Sequence, residues 1–364
     1  MHKLLNLAFC VYLETLSDGL SIEDVRRGLS DADAAVNCFT VTSRFEIIQR
    51  SLTNPSKVVA LRLATKCTVD SKGRVRYEAV GDELREAIEP SVSAIAVRAV
   101  FDGQLARFVR GTPEKDEMAR ISRNRASIPW RMDPSNFIRH FLNKPVEEQV
   151  GRLGGKVLGE KKWDGHKVLV IETEPVTREQ VRRKLQFLVD CLRNFTVVRK
   201  AAMVNYSSDE GNWHDYTLIE GREYEEVDSG IWLPREVNHE SFKVIEGKES
   251  ELSWRCTIHN DRWSVNDAVP DSLFTMPFPE GVYVTDEVSG REYRNTRVTD
   301  QTISDAANSA KELQQMYSDM PSPDEILRGT RWHWWLSLLL VTSGMLVLAG
   351  LLFFLLHWQK NYTK

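Results

Sequence analysis

The sequence predicts an α+β protein that is mainly antiparallel β: one large sheet, curled over or covered by a few helices, with one C-terminal transmembrane helix. Three observations carry this reading. Apolar and polar residues alternate with period two in roughly ten segments joined by hairpin turns. Alternating strand and helix units are absent, which excludes a doubly wound nucleotide fold. Finally, the stretch from Trp332 to Trp358 contains no Asp, Glu, Lys or Arg.

The elements follow in order. Residues 1–20 read as a signal peptide or an N-terminal helix, because Met1-His2-Lys3 precedes an apolar run, Leu4 to Leu13, that Glu14 ends. Residues 21–296 form the body. Its first helix runs from about Ser21 to Val36, with Ile22, Val25 and Leu29 on one face. Phe39, Val41, Phe45 and Ile47 then alternate with Thr40, Thr42, Arg44 and Glu46, as in a half-buried strand. The pattern returns at Val59, Leu61 and Leu63, and at Val75 and Tyr77 after the turn Asp70-Ser71-Lys72-Gly73. Phe101-Asp102-Gly103-Gln104 and Trp163-Asp164-Gly165-His166 both read as type I′ hairpins. A helix is predicted over Thr177 to Leu192, opened by the capping box Thr177-Arg178-Glu179-Gln180, with Val181, Leu185, Leu188 and Leu192 on one stripe. Strands resume at Val197 to Tyr206, Tyr216 to Ile219, Arg222 to Val227, Ile231 to Asn238 and Leu252 to His259.

Residues 297–331 are expected to hold a polar helix, Thr302 to Tyr317, and a hinge at Pro321-Ser322-Pro323. Residues 332–358 are the expected membrane helix, and 359–364 a short tail. Its inner part, Leu336 to Leu356, reaches roughly 31 Å at 1.5 Å per residue, enough for the hydrocarbon layer. Trp332, Trp334, Trp335 and Trp358 fall at the expected interfaces with the bilayer. The flanking charges tie, Arg328 and Arg331 against Lys360 and Lys364, so they set no orientation.

The formal charge of −4 over 364 residues implies no polyelectrolyte partner, and no nucleic acid is expected. Arg120, Arg123, Arg125 and Arg131 interleave with apolar residues and have Asp116 and Glu117 nearby. Five cysteines, Cys10, Cys38, Cys67, Cys191 and Cys256, are far apart and form no C-x-x-C, so neither a zinc site nor a dense disulfide framework is indicated.

The order of several segments resembles the outer-membrane lipoprotein carrier superfamily, the LolA/LolB-like fold, over about Ser21 to Tyr293. The segments are the hairpin Ala99 to Leu105, a helical stretch near Met132 to Ile138, Gly165 to Ile171, Tyr224 to Val227, Ser229-Gly230-Ile231-Trp232-Leu233-Pro234, and an ending through Pro270 to Phe274, Phe278 to Gly281 and Val284 to Asp286. What the resemblance implies is a half-barrel of antiparallel strands with helices as a lid, enclosing an apolar cavity for acyl chains or a hydrophobic peptide. It also implies a body on the periplasmic side of an inner membrane. The second role it suggests is an envelope sensor or scaffold similar to the regulator RseB, acting through contacts with an envelope protein.

No enzyme signature stands beside it. There is no G-x-S-x-G, H-E-x-x-H or Walker loop. Gly151-Arg152-Leu153-Gly154-Gly155 reads as a turn, since strand-like residues follow where a phosphate loop needs a helix. His214-Asp215 would point to opposite faces of a strand, and His239, Glu240 and Glu246 lie on a charged hairpin. The expectation is a non-enzymatic binding protein with no cofactor and no metal, taking a lipid or lipoprotein ligand. The residues expected to line its apolar cavity are Phe45, Ile47, Val59, Leu61, Leu63, Val75, Tyr77 and Val97. The helices offer them few bulky partners, namely Ile22, Val25, Leu29, Phe137 and Phe141, so space could be left for a ligand.

Overall fold

The computed structural model describes residues 20–50, 58–85, 91–112, 115–123, 140–142, 144–178, 180–206, 212–228, 230–246, 250–296 and 312–321. The chain forms two compact units, Met1–Met320 and Pro321–Lys364, and all of the second but Pro321 lies outside the described residues.

Helix α1 (Ile22–Ala35) comes first. Six strands follow: β1 (Phe39–Arg50), β2 (Val58–Val69), β3 (Val75–Arg85), β4 (Ser91–Phe101), β5 (Ala106–Thr112) and β6 (Lys115–Ser122). A two-stranded pair, β7 (His140–Phe141) and β8 (Lys144–Pro145), leads into helix α2 (Val146–Arg152). Then come β9 (Lys156–Trp163), β10 (His166–Glu172), β11 (Val176–Arg178), β12 (Val181–Asp190), β13 (Thr196–Tyr206), β14 (His214–Asp228), β15 (Ile231–Lys243) and β16 (Glu251–Val265). A 3₁₀ turn (Asp271–Phe274), β17 (Tyr283–Asp286), β18 (Arg291–Arg294) and a short helix α3 (312–318) complete the described chain.

Sixteen strands form one open sheet in the order β18-β17-β6-β5-β4-β3-β2-β1-β16-β15-β14-β13-β12-β10-β9, with β11 on β12. Two antiparallel meanders meet where β1 pairs with β16. The one parallel pair among the described strands is β17 with β6. The period-two reading of β1 is seen directly, because Phe39, Val41, Phe45 and Ile47 are buried on one face. That inner face carries α1 and α2 and holds two core clusters. One runs through Val25, Leu29, Phe45, Leu63, Phe141, Phe187 and Ile258. The other runs through Phe39, Val69, Val75, Tyr77 and Leu233.

Two parts of the expected fold are corrected. The helix over Thr177 to Leu192 is instead strands β11 and β12, paired with each other and with β10 and β13. Leu185, Phe187 and Val189 point into the inner core while Leu188 points into an outer cluster. A strand buried on both faces has apolar residues at helical and at period-two spacing alike, and pairing with neighbours decides. The α+β class with a transmembrane helix is likewise corrected to a mainly antiparallel β body with few helices. Among the described residues no helix is long and apolar enough to cross a membrane. The span from Trp332 to Trp358, with its four interfacial Trp, lies outside the described residues, as do residues 1–19, the helical stretch Met132 to Ile138 and Thr302 to Lys311.

The hairpins divide. Asp164 (φ 47°) and Gly165 (φ 78°) form the two-residue turn with both φ positive that type I′ requires. The turn after β4 is a longer loop, residues 102–105. There Asp102 Oδ1 accepts from the N–H groups of Gln104 (2.9 Å) and Leu105 (2.8 Å), and Gly103 alone has positive φ. An Asp side chain that closes its own turn removes the need for a second left-handed residue. Gly154 (φ 63°) ends α2, with the Gly155 N–H donating to Val150 O at 2.8 Å, so this glycine cluster is a helix cap.

Candidate functional site

Helix α1 begins at Ser21, whose Oγ accepts from Asp24 N–H while Asp24 Oδ2 accepts from Ser21 N–H, both at 3.2 Å. Its apolar stripe, Val25 and Leu29, is buried in the inner core. Gly28 lies so near the β12–β13 hairpin that a Cβ there would stand 2.3 Å from the Phe195 ring. Arg26 bridges to α2, donating to Glu147 Oε1 from Nη2 at 2.7 Å and from Nε at 3.1 Å. The two helices are thus fixed to each other and to one hairpin tip.

Beside this junction the inner face is not filled. A cleft of about 350 Å³ opens between the second half of α1 (Leu29, Ala32, Asp33, Val36), the start of α2 (Val146 to Glu148), the hairpin tip and β13 (Asn194 to Val197), and the start of β15 (Gly230 to Leu233). Its apolar walls come from Leu29, Val36, Val146, Phe195, Ile231 and Leu233. The hairpin tip is built with Asn194 (φ 52°) and Phe195 (φ 56°) both left-handed. Arg193 anchors it, its guanidinium lying 5.5 Å from the Tyr224 ring centroid and 5.2 Å from that of Trp232. Its Nη2 also meets His166 Nε2 at 2.8 Å, and its Nε lies 3.7 Å from the buried Asp190 carboxylate. Burial pushes the Asp190 carboxyl above its usual range, although Arg193 opposes the shift.

Under the helices lies one buried cation. Lys200 is 1% exposed and stands on the inner face between its cross-strand partners Phe187 and Ile219. Its Nζ donates to the His140 carbonyl at 3.0 Å. Burial lowers its pKa to about 7, against an opposing pull from Asp33 on the cleft wall.

The eight residues expected to line a cavity share the inner face but divide between its clusters. Phe45, Ile47, Leu63 and the half-buried Leu61 belong with α1, α2 and Phe141. Val75, Tyr77 and the half-buried Val97 belong to the second cluster, and Val59 is half-buried near the end of β2. None of the eight is among the residues lining the 350 Å³ cleft. Phe141 packs edge-on against Phe187 at 5.9 Å, while Phe137 lies outside the described residues. His214 and Asp215 are consecutive on β14, and His239 packs edge-on to Trp254 at 4.6 Å within the inner face.

Sequence reasoning missed Asp33, Arg193 and Lys200. A bulge in the β12–β13 pairing puts Val198 and then Arg199 on the outer side and returns Lys200 to the inner one. Strict alternation cannot carry parity through such a bulge.

No family model matches the chain, and no curated protein matches it. Solved structures similar to it include a domain from Vibrio parahaemolyticus described as an outer membrane lipoprotein-sorting protein, at 9% identity and TM-score 0.38, covering 68% of this chain and 95% of that one. The Pseudomonas aeruginosa MucA/MucB complex gives 10% identity and TM-score 0.22, covering 67% and 99%. MucB with MucA(peri) gives 11% identity and TM-score 0.20, covering 67% and 98%. Values this low assign no family, and the reading below rests on the chain's own geometry.

Proposed function

We propose that the body is a non-enzymatic binding protein that holds an elongated apolar ligand, an acyl chain or the lipid part of a lipoprotein, without turning it over. The observation that carries this reading is the 350 Å³ cleft beside α1, which has apolar walls and sits within the size range of small-molecule sites. Its polar lining groups are Ser30 and Asp33 on α1, Glu147 and Glu148 on α2, and Asn194 and Thr196 at the hairpin tip and start of β13, so polar anchors flank the apolar walls. The half-buried Val59 and Leu61 extend the apolar face, so a chain longer than the cleft would run along Phe45, Ile47, Leu63, Val75, Tyr77 and Val97 if α1 and α2 lifted. This reading goes with an extracytoplasmic body, an expectation that rests on the apolar run Leu4 to Leu13 and on what the resemblance in motif order implies.

Native mass spectrometry of the purified protein with co-extracted lipid, beside displacement of a fluorescent fatty acid, tests it. Bound lipid and saturable displacement are expected, and Ala32→Trp, which fills the cleft, should weaken displacement at least tenfold. A protein that emerges empty and shows no saturable displacement overturns the ligand reading and leaves the envelope scaffold role, to be tested by crosslinking.

A further inference from the structure

The outer face of the sheet carries a second cavity, of about 380 Å³, between the 3₁₀ turn at Asp271–Phe274 and helix α3. Its floor follows from strand register. Across β16, β1, β2 and β3, one row is Ser264, Thr40, Thr68 and Arg76. The next row is Arg262, Thr42, Lys66 and Glu78. Neighbours in a row are roughly 4.8 Å apart and the rows are roughly 7 Å apart, so the floor is a grid of polar groups at spacings comparable to the width of a sugar ring.

This grid is not a solvated strand face. Thr42, Thr68 and Glu78 are each more than nine-tenths buried, because the 3₁₀ turn and α3 wall them in. Arg76 is fixed by Glu78 at 2.5 Å and by the Leu273 carbonyl at 3.1 Å, and Lys66 by Glu312 at 2.8 Å. The lining carries Lys66, Arg76 and Arg262 against Glu78, Asp267 and Glu312, so its charges balance. A balanced site gives no net attraction to a simple anion or cation. Thr40 and Thr68 share one hydrogen bond at 3.0 Å, and each hydroxyl keeps further donor or acceptor capacity. Donors, acceptors and hydroxyls that do both, held in a shallow grid, match a ligand whose own groups are hydroxyls.

We propose that this outer cavity binds a neutral, hydroxyl-rich ligand, a sugar ring or short glycan, independently of the apolar cleft. Isothermal titration of the full chain with maltotriose, cellotriose and chitotriose, with inorganic phosphate and spermidine as charged controls, tests this. Saturable binding of at least one neutral sugar is expected, with none for either control. Thr68→Val and Thr42→Val, which keep shape and remove a hydroxyl, should each weaken it at least tenfold, and Ala32→Trp in the apolar cleft should leave it unchanged. Arg262→Ala, on an exposed side chain, serves should either Thr variant fail to fold, and the same loss is expected. The proposal is overturned by the absence of saturable binding for all three sugars, by binding of phosphate or spermidine in their place, or by sugar binding that these variants leave intact.

Discussion

Gly28 and Phe195 are in contact across the junction of α1 with the β12–β13 hairpin, with no room for a side chain between them. Glycine inside a helix ordinarily costs about 1 kcal/mol relative to alanine. Here a methyl group would stand 2.3 Å from the ring, and overpacking of that kind costs about 1–3 kcal/mol, so steric cost outweighs the propensity gain. Gly28→Ala is therefore expected to lower stability in urea unfolding, and Phe195→Leu in the same chain to restore part of it. A more stable Gly28→Ala protein would contradict this packing.

Lys200 predicts a pH dependence with a definite sign. Its folded pKa, about 7, lies below the ordinary lysine value of 10.5, so between the two the unfolded chain binds a proton that the folded chain does not. Stability from this group rises as pH increases from about 7 towards 10.5, by up to about 1.4 kcal/mol per unit, and is flat below about 7. The charged group that opposes the shift is Asp33, and the neutral His140 carbonyl accepts from the Lys200 Nζ. Lys200→Met should raise stability at pH 6 and flatten the slope between pH 7 and 9 in chemical denaturation. An unchanged slope would show that Lys200 is not the titrating group.

Arg193→Ala should loosen the hairpin tip. It removes the contacts with Tyr224, Trp232 and His166 and leaves the buried Asp190 without its nearest cation. Stranding a buried charge costs about 3–5 kcal/mol when one partner is deleted. Hydrogen exchange should rise first at residues 191–195, and Arg193→Lys should restore the charge but not the stacking.

On the outer face, Asp82 ties α3 to the sheet. Arg62 donates from Nε to its Oδ1 at 2.9 Å and from Nη2 to its Oδ2 at 3.0 Å, and the Tyr317 hydroxyl also donates to Oδ2. The Arg62 and Asp82 side chains are 14% and 7% exposed, so Asp82→Ala is expected to cost about 3–5 kcal/mol. Tyr317→Phe should cost less, about 2 kcal/mol, because it removes two hydrogen bonds, one donated to Asp82 and one accepted from Arg62 Nη2 at 2.9 Å, and keeps the ring under Arg62. Equal losses in thermal unfolding would argue against this division.

Much of the sheet was legible in the chain. Phe39, Val41, Phe45 and Ile47 mark the inner face of β1 because a strand half-covered by helices must separate its two faces by polarity. The Asp164-Gly165 turn was legible for a related reason, since two consecutive left-handed residues favour that pair. The cleft was not. Its walls come from four separate segments, and the eight apolar residues singled out on the strands lie elsewhere on the same face.

The sequence by itself determined the mainly antiparallel body, the hairpin order and the amphipathic first helix, because these depend on periodicities within a few residues. Tertiary structure alone decided three things. It made Val181 to Asp190 a strand, since pairing on both sides satisfies its backbone while its side chains are buried on both faces. It buried Lys200, since a bulge resets which residues face inward. It also set what the helices fill and what they leave open, because that depends on contacts such as Gly28 with Phe195, 167 residues apart in the chain.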